Sequence, residues 1–565
     1  MTLQLPAEPT LCLPRFHPAL LHTLRHYDKS TLRQDVLAGI TVGIVALPLA
    51  MAFAIASGVP PQAGIFTAVI AGFLTSLLGG SKTSVSGPTG AFIVIIYGIV
   101  VKYGIANLII CTFMAGAMLV LMGLLRLGQV IKFFPMPLIT GFTNGIAVLI
   151  LLTQLKDFFG LPIGSMPSGF FAVVDILRHT INQLDPLTLA VSAASLLLIL
   201  LWPKSLNRKL PGPFVALVLA TLTVSLFSLP LATIGSKFGG IPQGLPELHG
   251  LAFDPEHLSD LLAPAFTIAL LGAIESLLCA VVADNLTGDK HDANQELIAQ
   301  GIANMVVPFF GGIPATGAIA RTATSINNGG KTPVSGIVHA LFLLLVILIA
   351  APLAAYIPLA VLAAILIAVA IKMGDWDIRK AAQFPKRDTL VLAVTFILTV
   401  VFDLTIAVQI GLMIAAVFFI QRMAGSTSVQ ELRAEHQQLY ERHSIAGKYI
   451  PDGCIAYRIE GALFFGATDR IEAIANARPE ARVIILQLHR LVMLDTTGLL
   501  ALSALNRHLK AQGRTLILCG AGTEVMQMLK QARLASEMGS RNIQPDLTTA
   551  LQHAEEVLTA GVVWA

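Results

Sequence analysis

The sequence has few charged residues for its length. Asp, Glu, Lys and Arg make up 12% of its 565 residues, whereas 55% of the residues are hydrophobic. A soluble protein carries about 25% charged residues. The composition therefore excludes an ordinary soluble enzyme and indicates a polytopic helical membrane protein. The net charge of +4 gives no reason to expect a nucleic-acid partner.

The chain also lacks cysteines and histidines at metal-ligand spacing. We expect no disulfide framework, no metal site and no cofactor other than a coupling ion. The scattered cysteines are Cys12, Cys111, Cys279, Cys454 and Cys519. The histidines without ligand spacing, each interpreted as a surface or packing residue, are His291, His339, His489 and His508. 

Two further patterns are missing. Gly330-Lys331-Thr332 looks like the end of a phosphate-binding loop, but Ser325 stands where that motif requires Gly, which argues against an ATPase. Residues 1–34 show no short apolar core with a small-residue cleavage site. We therefore expect a cytoplasmic N-terminal segment over 1–34, with insertion directed by the first apolar run.

Long apolar runs fill the chain from about residue 36 to about residue 423. We count about fourteen, most of them close to the ~20 residues that a membrane-spanning helix needs. Basic residues concentrate in alternate loops, which places both termini in the cytoplasm by the positive-inside rule. These basic residues are Arg126, Lys132, Lys204, Arg208, Lys209, Lys372, Arg379, Lys380, Lys386 and Arg387.

Two helix-breaking stretches interrupt this apolar region, Gly79–Gly90 and Gly311–Gly317. They lie about 230 residues apart, and a short apolar run follows each. Paired breaks at matching places in two halves are typical of secondary transporters, with the substrate between them. Two half-helix N-termini would offer amide donors and positive dipole ends to a small anion. The candidate binding residues in the breaks are Ser86, Gly87, Thr89, Gly90, Thr316, Gly317 and Ala318.

Glu275 lies in the middle of the eighth apolar run. A carboxylate at that depth is expensive to bury and is usually functional. It is a candidate proton carrier or a sodium ligand, and the competing interpretation is a structural carboxylate bonded to a neighbouring helix.

Four other residues in or near the apolar runs are candidates of lower rank. Arg321 follows the second break and either supports the anion or pairs with Glu275 or with carbonyl groups. Phe53 is a candidate contact in the apolar part of the pocket. Asp35 and Asp403 stand at run edges, where we expect solvated helix ends.

The composition changes after Arg422. Residues 440–565 are more polar, with strand-like runs such as 483–488 and 515–519 and an amphipathic helix from Gly498 to Ala511. Alternating strands and helices predict a small soluble α/β domain. We expect a transmembrane domain over 35–425, a linker over 426–439 and a cytoplasmic domain over 440–565.

Several motifs resemble the sulfate permease (SulP) family of anion transporters. The similar stretches are 38–41, 57–62, 84–89 and 329–332, and the stretch around Glu275 resembles the bacterial dicarboxylate transporters of the family. Asp495-Thr496-Thr497-Gly498 resembles the loop of STAS domains, in which a hydroxyl residue at the Thr497 position is phosphorylated in soluble relatives.

The resemblance implies a seven-plus-seven inverted repeat with core and gate domains, elevator-like alternating access, and a homodimer in the bacterial inner membrane. It also implies that Arg321 lies at the anion site, that Thr497 is regulatory, and that a cytoplasmic partner can act at the STAS domain. The chain departs from the family where Leu49 follows Pro48 and where Ala318 and Ala320 flank the arginine region. Both departures remove side-chain donors, so the site depends more on backbone N–H groups.

Three classes of function follow from these observations. The first is proton-coupled symport of four-carbon dicarboxylates such as succinate, fumarate and aspartate, with sodium- or proton-coupled bicarbonate or sulfate uptake as the alternative. The second is a membrane-anchored STAS regulatory protein, which would need neither Glu275 nor the two breaks. The third is a channel, which a buried coupling carboxylate makes less favoured. A nucleobase transporter would need a polar side chain near Leu49.

Overall fold

The computed structural model describes residues 16–129, 135–164, 166–167, 169–203, 206, 210–244, 248, 250, 258–377, 385–402, 404–432, 448–464, 470–471, 473–474 and 478–560. The chain divides into two compact units, Met1–Leu412 and Met413–Ala565. Each unit is described by itself.

The regular elements described in the first unit are helices and two very short strands. Its helices are α1 Ala19–Thr23, α2 Lys29–Ala56, α3 Pro61–Leu78, α4 Ile93–Leu124, α5 Met136–Phe159, α6 Phe170–Thr180, α7 Pro186–Leu201, α8 Gly212–Leu226, α9 Ile234–Phe238, α10 Leu258–Thr287, α11 Ala293–Val306, α12 Ile319–Asn327, α13 Val334–Ala354, α14 Leu359–Met373 and α15 Lys386–Val401. Helix α16, Leu404–Ser426, crosses the division between the units.

Within the described residues, six helices are long and apolar enough to cross a bilayer: α2, α3, α4, α5, α10 and α13. A bent pair, Phe170–Gln183 with Pro186–Leu201, provides a further candidate, and the shorter apolar segments include α8 and α14. A polytopic helical membrane protein is therefore confirmed, whereas the count of about fourteen spans stays a prediction.

The same order of elements occurs in both halves of this unit. Helices α2 and α3 lead to strand β1, Ser86–Gly87, and helices α10 and α11 lead to strand β2, Thr316–Gly317. A short helical segment follows each strand. Helix α4 is interrupted at Gly104, whose φ is +81° and ψ 171°, so the part of α4 that follows β1 is short. Helix α12, which follows β2, has only 9 residues. The interrupted segments predicted from the sequence are thus present in both halves.

Glycines let the helices behind the strands approach each other closely. A Cβ on Gly116 of α4 would lie 2.7 Å from the carbonyl oxygen of Gly301 in α11, and a Cβ on Gly301 would lie 2.7 Å from that of Gly116. Small residues permit such backbone contact between membrane helices. This contact fixes α11 against α4, directly behind the two breaks.

The second unit contains a five-stranded sheet in the order β3-β4-β5-β6-β7. Strand β3 is antiparallel to β4, and the remaining neighbours are parallel. Its elements are β3 Ser428–Glu431, β4 Cys454–Leu463, β5 Val483–Leu494, α17 Thr496–Ala511, β6 Thr515–Cys519, α18 Thr523–Gln531, α19 Leu534–Met538, β7 Ile543–Gln544 and α20 Leu547–Ala560.

The first half of strand β5, residues 483–488, is buried on both faces, as a central parallel strand should be. Ile484 and Leu486 pack on the side of α17, whereas Val483 and Ile485 pack on the side of α20. The predicted α/β domain is therefore confirmed. Strand β3 lies inside the segment predicted to be a linker. Its backbone pairs with β4 at the edge of the sheet, so that part of the segment belongs to the domain.

Candidate functional site

The two breaks meet through antiparallel pairing of β1 with β2. Ser86 lies opposite Gly317, and Gly87 lies opposite Thr316. The Ala318 N–H also donates to the Val85 carbonyl oxygen, at 2.9 Å. The two segments run in opposite directions at this point, as an inverted repeat requires. The pairing also satisfies backbone groups that would otherwise be unpaired inside the membrane.

Some amides of the second break are used to hold the structure together. The Gly317 N–H donates to Ser276 Oγ at 3.1 Å, and Ser276 Oγ lies 2.8 Å from Thr316 Oγ1. Thr316 Oγ1 in turn donates to the Gly272 carbonyl oxygen at 3.2 Å. Helix α10 therefore supports β2 through serine and threonine hydroxyls, and the amides of Gly317 and Ala318 are already engaged.

The short helical segments after the strands begin without side-chain caps. Thr89 precedes the 3₁₀ turn Gly90–Phe92, and Ala318 precedes α12, and neither side chain accepts a bond from its own helix. Within the described part of the chain, no acceptor is assigned to the first N–H groups of α12. Such uncapped N-termini carry partial positive charge and favour an anion.

Thr89 lacks a capping role because its hydroxyl is bonded elsewhere. Thr89 Oγ1 donates to Glu275 Oε2 at 3.0 Å. The carboxylate of Glu275, on α10, is half-buried. The bond therefore joins the intramembrane carboxylate predicted from the sequence to the start of the first broken segment.

A cavity of about 500 Å³ lies in front of these groups, within the range usual for small-molecule sites. Seven of the predicted residues line it: Phe53, Thr89, Gly90, Glu275, Gly317, Ala318 and Arg321. Most of the remaining wall is apolar, with Leu49, Phe142 and Ile274 among its members. The structure thus brings the predicted aromatic contact, the carboxylate and both breaks into one site.

Three predicted residues lie behind the cavity. Ser86, Gly87 and Thr316 are not among its lining residues, and Ser86 and Thr316 are 0% exposed. Gln300 Nε2 donates to Ser86 Oγ, and Thr316 contacts α10. These residues form the strands, and the side chains of Ser86 and Thr316 bond to helices α11 and α10 without lining the cavity.

Arg321 is buried, with 2% of its surface exposed, and it holds the first break. Its Nη2 donates to the Pro88 carbonyl oxygen at 2.8 Å, and Nη1 lies 3.5 Å from the Ser86 carbonyl oxygen. Among the described residues no ion pair joins Arg321 to Glu275. Of the roles predicted for this arginine, the structure shows the contact with carbonyl groups, and the same side chain also lines the cavity.

Two features of the site were not predicted from the sequence. Lys372, in the last turn of α14, lines the cavity, although we assigned it only to a basic loop. The apolar wall from α5, including Phe142, was also missed. Helical periodicity shows that such residues face a neighbour, but it does not show which neighbour.

Among the described residues, no three His, Cys, Asp or Glu side chains form a group suited to a metal ion.

The prediction for Asp35 was wrong. Asp35 is 0% exposed and is not a solvated helix end. It accepts bonds from the Lys331 N–H at 2.8 Å, the Tyr27 hydroxyl at 2.9 Å, and the amide and hydroxyl of Thr332. A loop nearly 300 residues later in the sequence supplies most of these donors, so local sequence did not reveal them.

Burial, the hydrogen bond to Asp35 and the charge of Asp35 raise the pKa of Tyr27 to about 12. Asp403 lies outside the described residues.

Paired broken helices beside an intramembrane carboxylate define a helical membrane transporter. A model of the sulfate permease family matches residues 32–395, and a model of the STAS domain matches residues 447–550. The chain therefore belongs to the sulfate permease family and is an anion transporter of the multi-pass membrane class.

Curated relatives span nearly the whole chain. It is 43% identical over 524 residues to the Bacillus subtilis protein named "Putative sulfate transporter YvdB", covering 91% of this chain and 96% of the relative. It is 33% identical over 539 residues to the bicarbonate transporter BicA of Synechocystis, covering 93% of this chain and 94% of the relative. These relatives are named as transporters, which indicates that this chain is not an enzyme.

Solved structures share the fold. The transmembrane domain of a cyanobacterial bicarbonate transporter, BicA, matches with a TM-score of 0.61 and 33% identity, covering 69% of this chain and 98% of that domain. SLC26A9 matches with a TM-score of 0.83, covering 96% of this chain and 93% of that chain. Because the identity is 18%, this match supports the fold and no further property.

Proposed function

We propose that this protein is a secondary active, ion-coupled transporter of a compact oxyanion, with bicarbonate as the first candidate. The observation that supports the proposal is the single cavity in which Glu275 and the starts of both broken segments converge. The broken segments supply donors and positive dipole ends, and Arg321 adds a full positive charge behind them.

Glu275 explains why transport would be coupled to a cation. An ionised carboxylate in a cavity of low dielectric repels an entering anion. Binding of a proton or a sodium ion at Glu275 removes that repulsion, so cation and anion bind cooperatively, and linkage requires each to strengthen the other equally. The Thr89–Glu275 bond provides a direct connection between the two sites.

The geometry favours one compact anionic group. Because β1 and β2 are paired neighbours, the segment starts that follow them lie close together and serve one charged group better than two distant ones. The likeness to BicA over both the sequence and the transmembrane domain supports bicarbonate. The likeness to the Bacillus subtilis protein supports sulfate as the second candidate.

Four-carbon dicarboxylates remain a third candidate. A dicarboxylate needs a second cationic group at a distance from the first, and Lys372 lines the same cavity. The cavity volume is large enough for such a substrate. Succinate therefore belongs in any substrate panel.

The decisive experiment measures uptake of radiolabelled bicarbonate, sulfate and succinate into proteoliposomes, with proton and sodium gradients imposed separately. The wild type should accumulate one of these anions under one of the two gradients. Failure to accumulate any of them under either gradient would contradict the proposed function.

Glu275→Gln tests the coupling role directly. The amide imitates the neutral carboxyl group, so anion binding should survive while accumulation driven by the cation gradient stops. Asp260→Asn is the matched control, since Asp260 is an exposed carboxylate in the first turn of the same helix. Accumulation by Glu275→Gln at the wild-type level would exclude Glu275 as the coupling residue.

We also propose the arrangement expected from the sequence: a homodimer in the bacterial inner membrane, with both termini and the STAS domain in the cytoplasm. Thr497 is exposed in the first turn of α17, beside Asp495, which caps that helix through the Gly498 N–H at 2.7 Å. A phosphate on Thr497 would add a charge of about −1.5 to −2 there. Protease accessibility in oriented vesicles tests the topology, and detection of phosphate on Thr497 in cells tests the regulatory role.

A further inference from the structure

Helix α11 carries three polar side chains on one buried face. Glu296, Gln300 and Asn304 are spaced by four residues, which places them in one row along the helix. Their exposed fractions are 1%, 0% and 1%. We call these three residues the polar stripe of α11. None of them lines the anion cavity, so a role in contacting the substrate does not explain them.

The stripe bonds to the first break at two points. Glu296 Oε2 accepts from the N–H groups of Gly80 and Ser81, at 3.0 and 3.1 Å. Gln300 Nε2 donates to Ser86 Oγ and, at 3.3 Å, to Glu296 Oε1. The stripe therefore fixes the first break both where it leaves α3 and where it forms β1.

The stripe also bonds to the second break. Asn304 Nδ2 donates to the Ala315 carbonyl oxygen at 2.8 Å, and the Ala315 N–H donates to Asn304 Oδ1 at 2.8 Å. This reciprocal pair closes on the residue immediately before β2. One face of one helix thus determines where both strands of the site lie.

Charge determines the orientation of the central amide. When Glu296 is ionised, its carboxylate only accepts hydrogen bonds, so it then requires Gln300 to present its NH₂ group. That same NH₂ group then faces Ser86. Gln300 Oε1 has no hydrogen-bond partner among the described residues, so the orientation of this amide depends on the two bonds that its NH₂ group donates.

We propose that Gln300, oriented by Glu296, is a positioning residue that sets the path of the first break and thereby the affinity of the anion site. The inference rests on the proposed function, because it assumes that the anion binds between the breaks. Gln300 acts through Ser86 and the backbone of β1, without touching the substrate.

Gln300→Met keeps the length of the side chain and removes its hydrogen bonds. We expect the affinity for the transported anion to fall about three- to tenfold. Gln295→Met is the matched control: Gln295 is 2% exposed on the same helix and donates to the Leu78 carbonyl oxygen at 2.6 Å, outside both strands. Its effect on affinity should stay below about twofold.

A charge swap tests whether the affinity depends on the carboxylate–amide pair of Glu296 and Gln300. Gln300→Glu places two carboxylates side by side in a buried site and should weaken binding more than tenfold. The double variant Glu296→Gln with Gln300→Glu restores one carboxylate and one amide, and we expect most of the lost affinity to return. Reversing the pair would also repair a general loss of stability, so the melting temperature of each variant distinguishes that loss from a loss of affinity in a stable protein.

The readouts are the half-saturation concentration for radiolabelled bicarbonate, sulfate and succinate, the melting temperature, and hydrogen exchange of residues 80–87. Exchange in that segment should be faster in Gln300→Met than in Gln295→Met. If Gln300→Met does not fold, Ser86→Ala removes the same bond from the other side and should lower affinity by the same factor.

Wild-type affinity in folded Gln300→Met or Ser86→Ala, or no recovery in the double variant, would overturn the inference. Absence of uptake by the wild type for all three anions would instead refute the proposed function. The hydrogen exchange of residues 80–87 would then be the only test of the positioning role, and equal exchange in Gln300→Met and Gln295→Met would refute it.

Discussion

The substitution Gly87→Ala tests how tightly the first break is built around Arg321. A Cβ at position 87 would lie 2.0 Å from Arg321 Nη1 and 3.2 Å from its Cζ. Ordinary contact begins near 3.4 Å, so the guanidinium must move by about 1.4 Å. A long side chain on the surface would accommodate this easily, but Arg321 is 2% exposed and bonded to the Pro88 carbonyl oxygen.

The movement should break that bond. A guanidinium is planar and rigid, so displacing Nη1 also displaces Nη2 from its position 2.8 Å from the Pro88 oxygen. A hydrogen bond to a charged group contributes about 1.5–3 kcal/mol, which corresponds to a factor of roughly 10 to 150 in an equilibrium constant. Because Arg321 lines the cavity, we expect anion affinity to fall by about tenfold or more.

The assay is uptake into proteoliposomes over a range of anion concentrations, together with a thermal unfolding curve. Gly98→Ala is the control, because a Cβ at position 98 would meet nothing within 4 Å. A double-mutant cycle with Arg321→Ala then tests the mechanism. If the methyl group acts mainly through the guanidinium, the effect of Gly87→Ala on affinity should be clearly smaller when Arg321 is already absent, and the effect that remains measures the backbone strain of Ala at a φ of +156°. Wild-type affinity in Gly87→Ala, or full additivity with Arg321→Ala, would refute the reasoning.

Two further predictions concern the cluster around Asp35. Asp35→Ala leaves the buried amides of Lys331 and Thr332 without their acceptor and should destabilise the protein by about 1–3 kcal/mol or more; an unchanged melting temperature would contradict this. The raised pKa of Tyr27, about 12, lies above the usual value near 10, so the bond to Asp35 should stabilise the fold below about pH 10 and be lost between about pH 10 and 12. The difference between the ultraviolet titration curves of the wild type and Tyr27→Phe should correspond to one tyrosine that ionises near pH 12 instead of near pH 10; a difference curve centred near pH 10 would contradict this.

The outline of the site could be predicted from the sequence because its signals are local. Glycine and proline clusters inside apolar runs indicate interrupted helices. A carboxylate within an apolar run indicates a functional residue, because burying it in the membrane costs free energy. Glu275, Thr89 and Gly317 therefore reach the same cavity, as the two breaks and the intramembrane carboxylate suggested. Strands β5 and β6 of the second unit were equally visible as apolar runs.

The remaining features depend on contacts between distant segments. Asp35 looked like a helix end because it stands at the edge of an apolar run, yet its main-chain donors, Lys331 and Thr332, come from the second half of the chain. Ser86 looked like a ligand because it stands in a break, yet its hydroxyl is bonded to Gln300 on the opposite side. Sequence shows that a polar group needs a partner, but only the packing of the helices shows which partner it has.

The polar side chains near the cavity are largely committed to holding backbone. Arg321 bonds to carbonyl groups of the first break, Ser276 bonds to an amide of the second, and the polar stripe of α11 bonds to both. The donors that remain for an anion are chiefly main-chain N–H groups, and these have a direction fixed by the fold. This explains how the chain can have Ala318 and Ala320, which carry no side-chain donors, at the start of the second broken segment. Selectivity in such a site resides in the positions of the backbone, so the residues that set those positions matter as much as the residues that line the cavity.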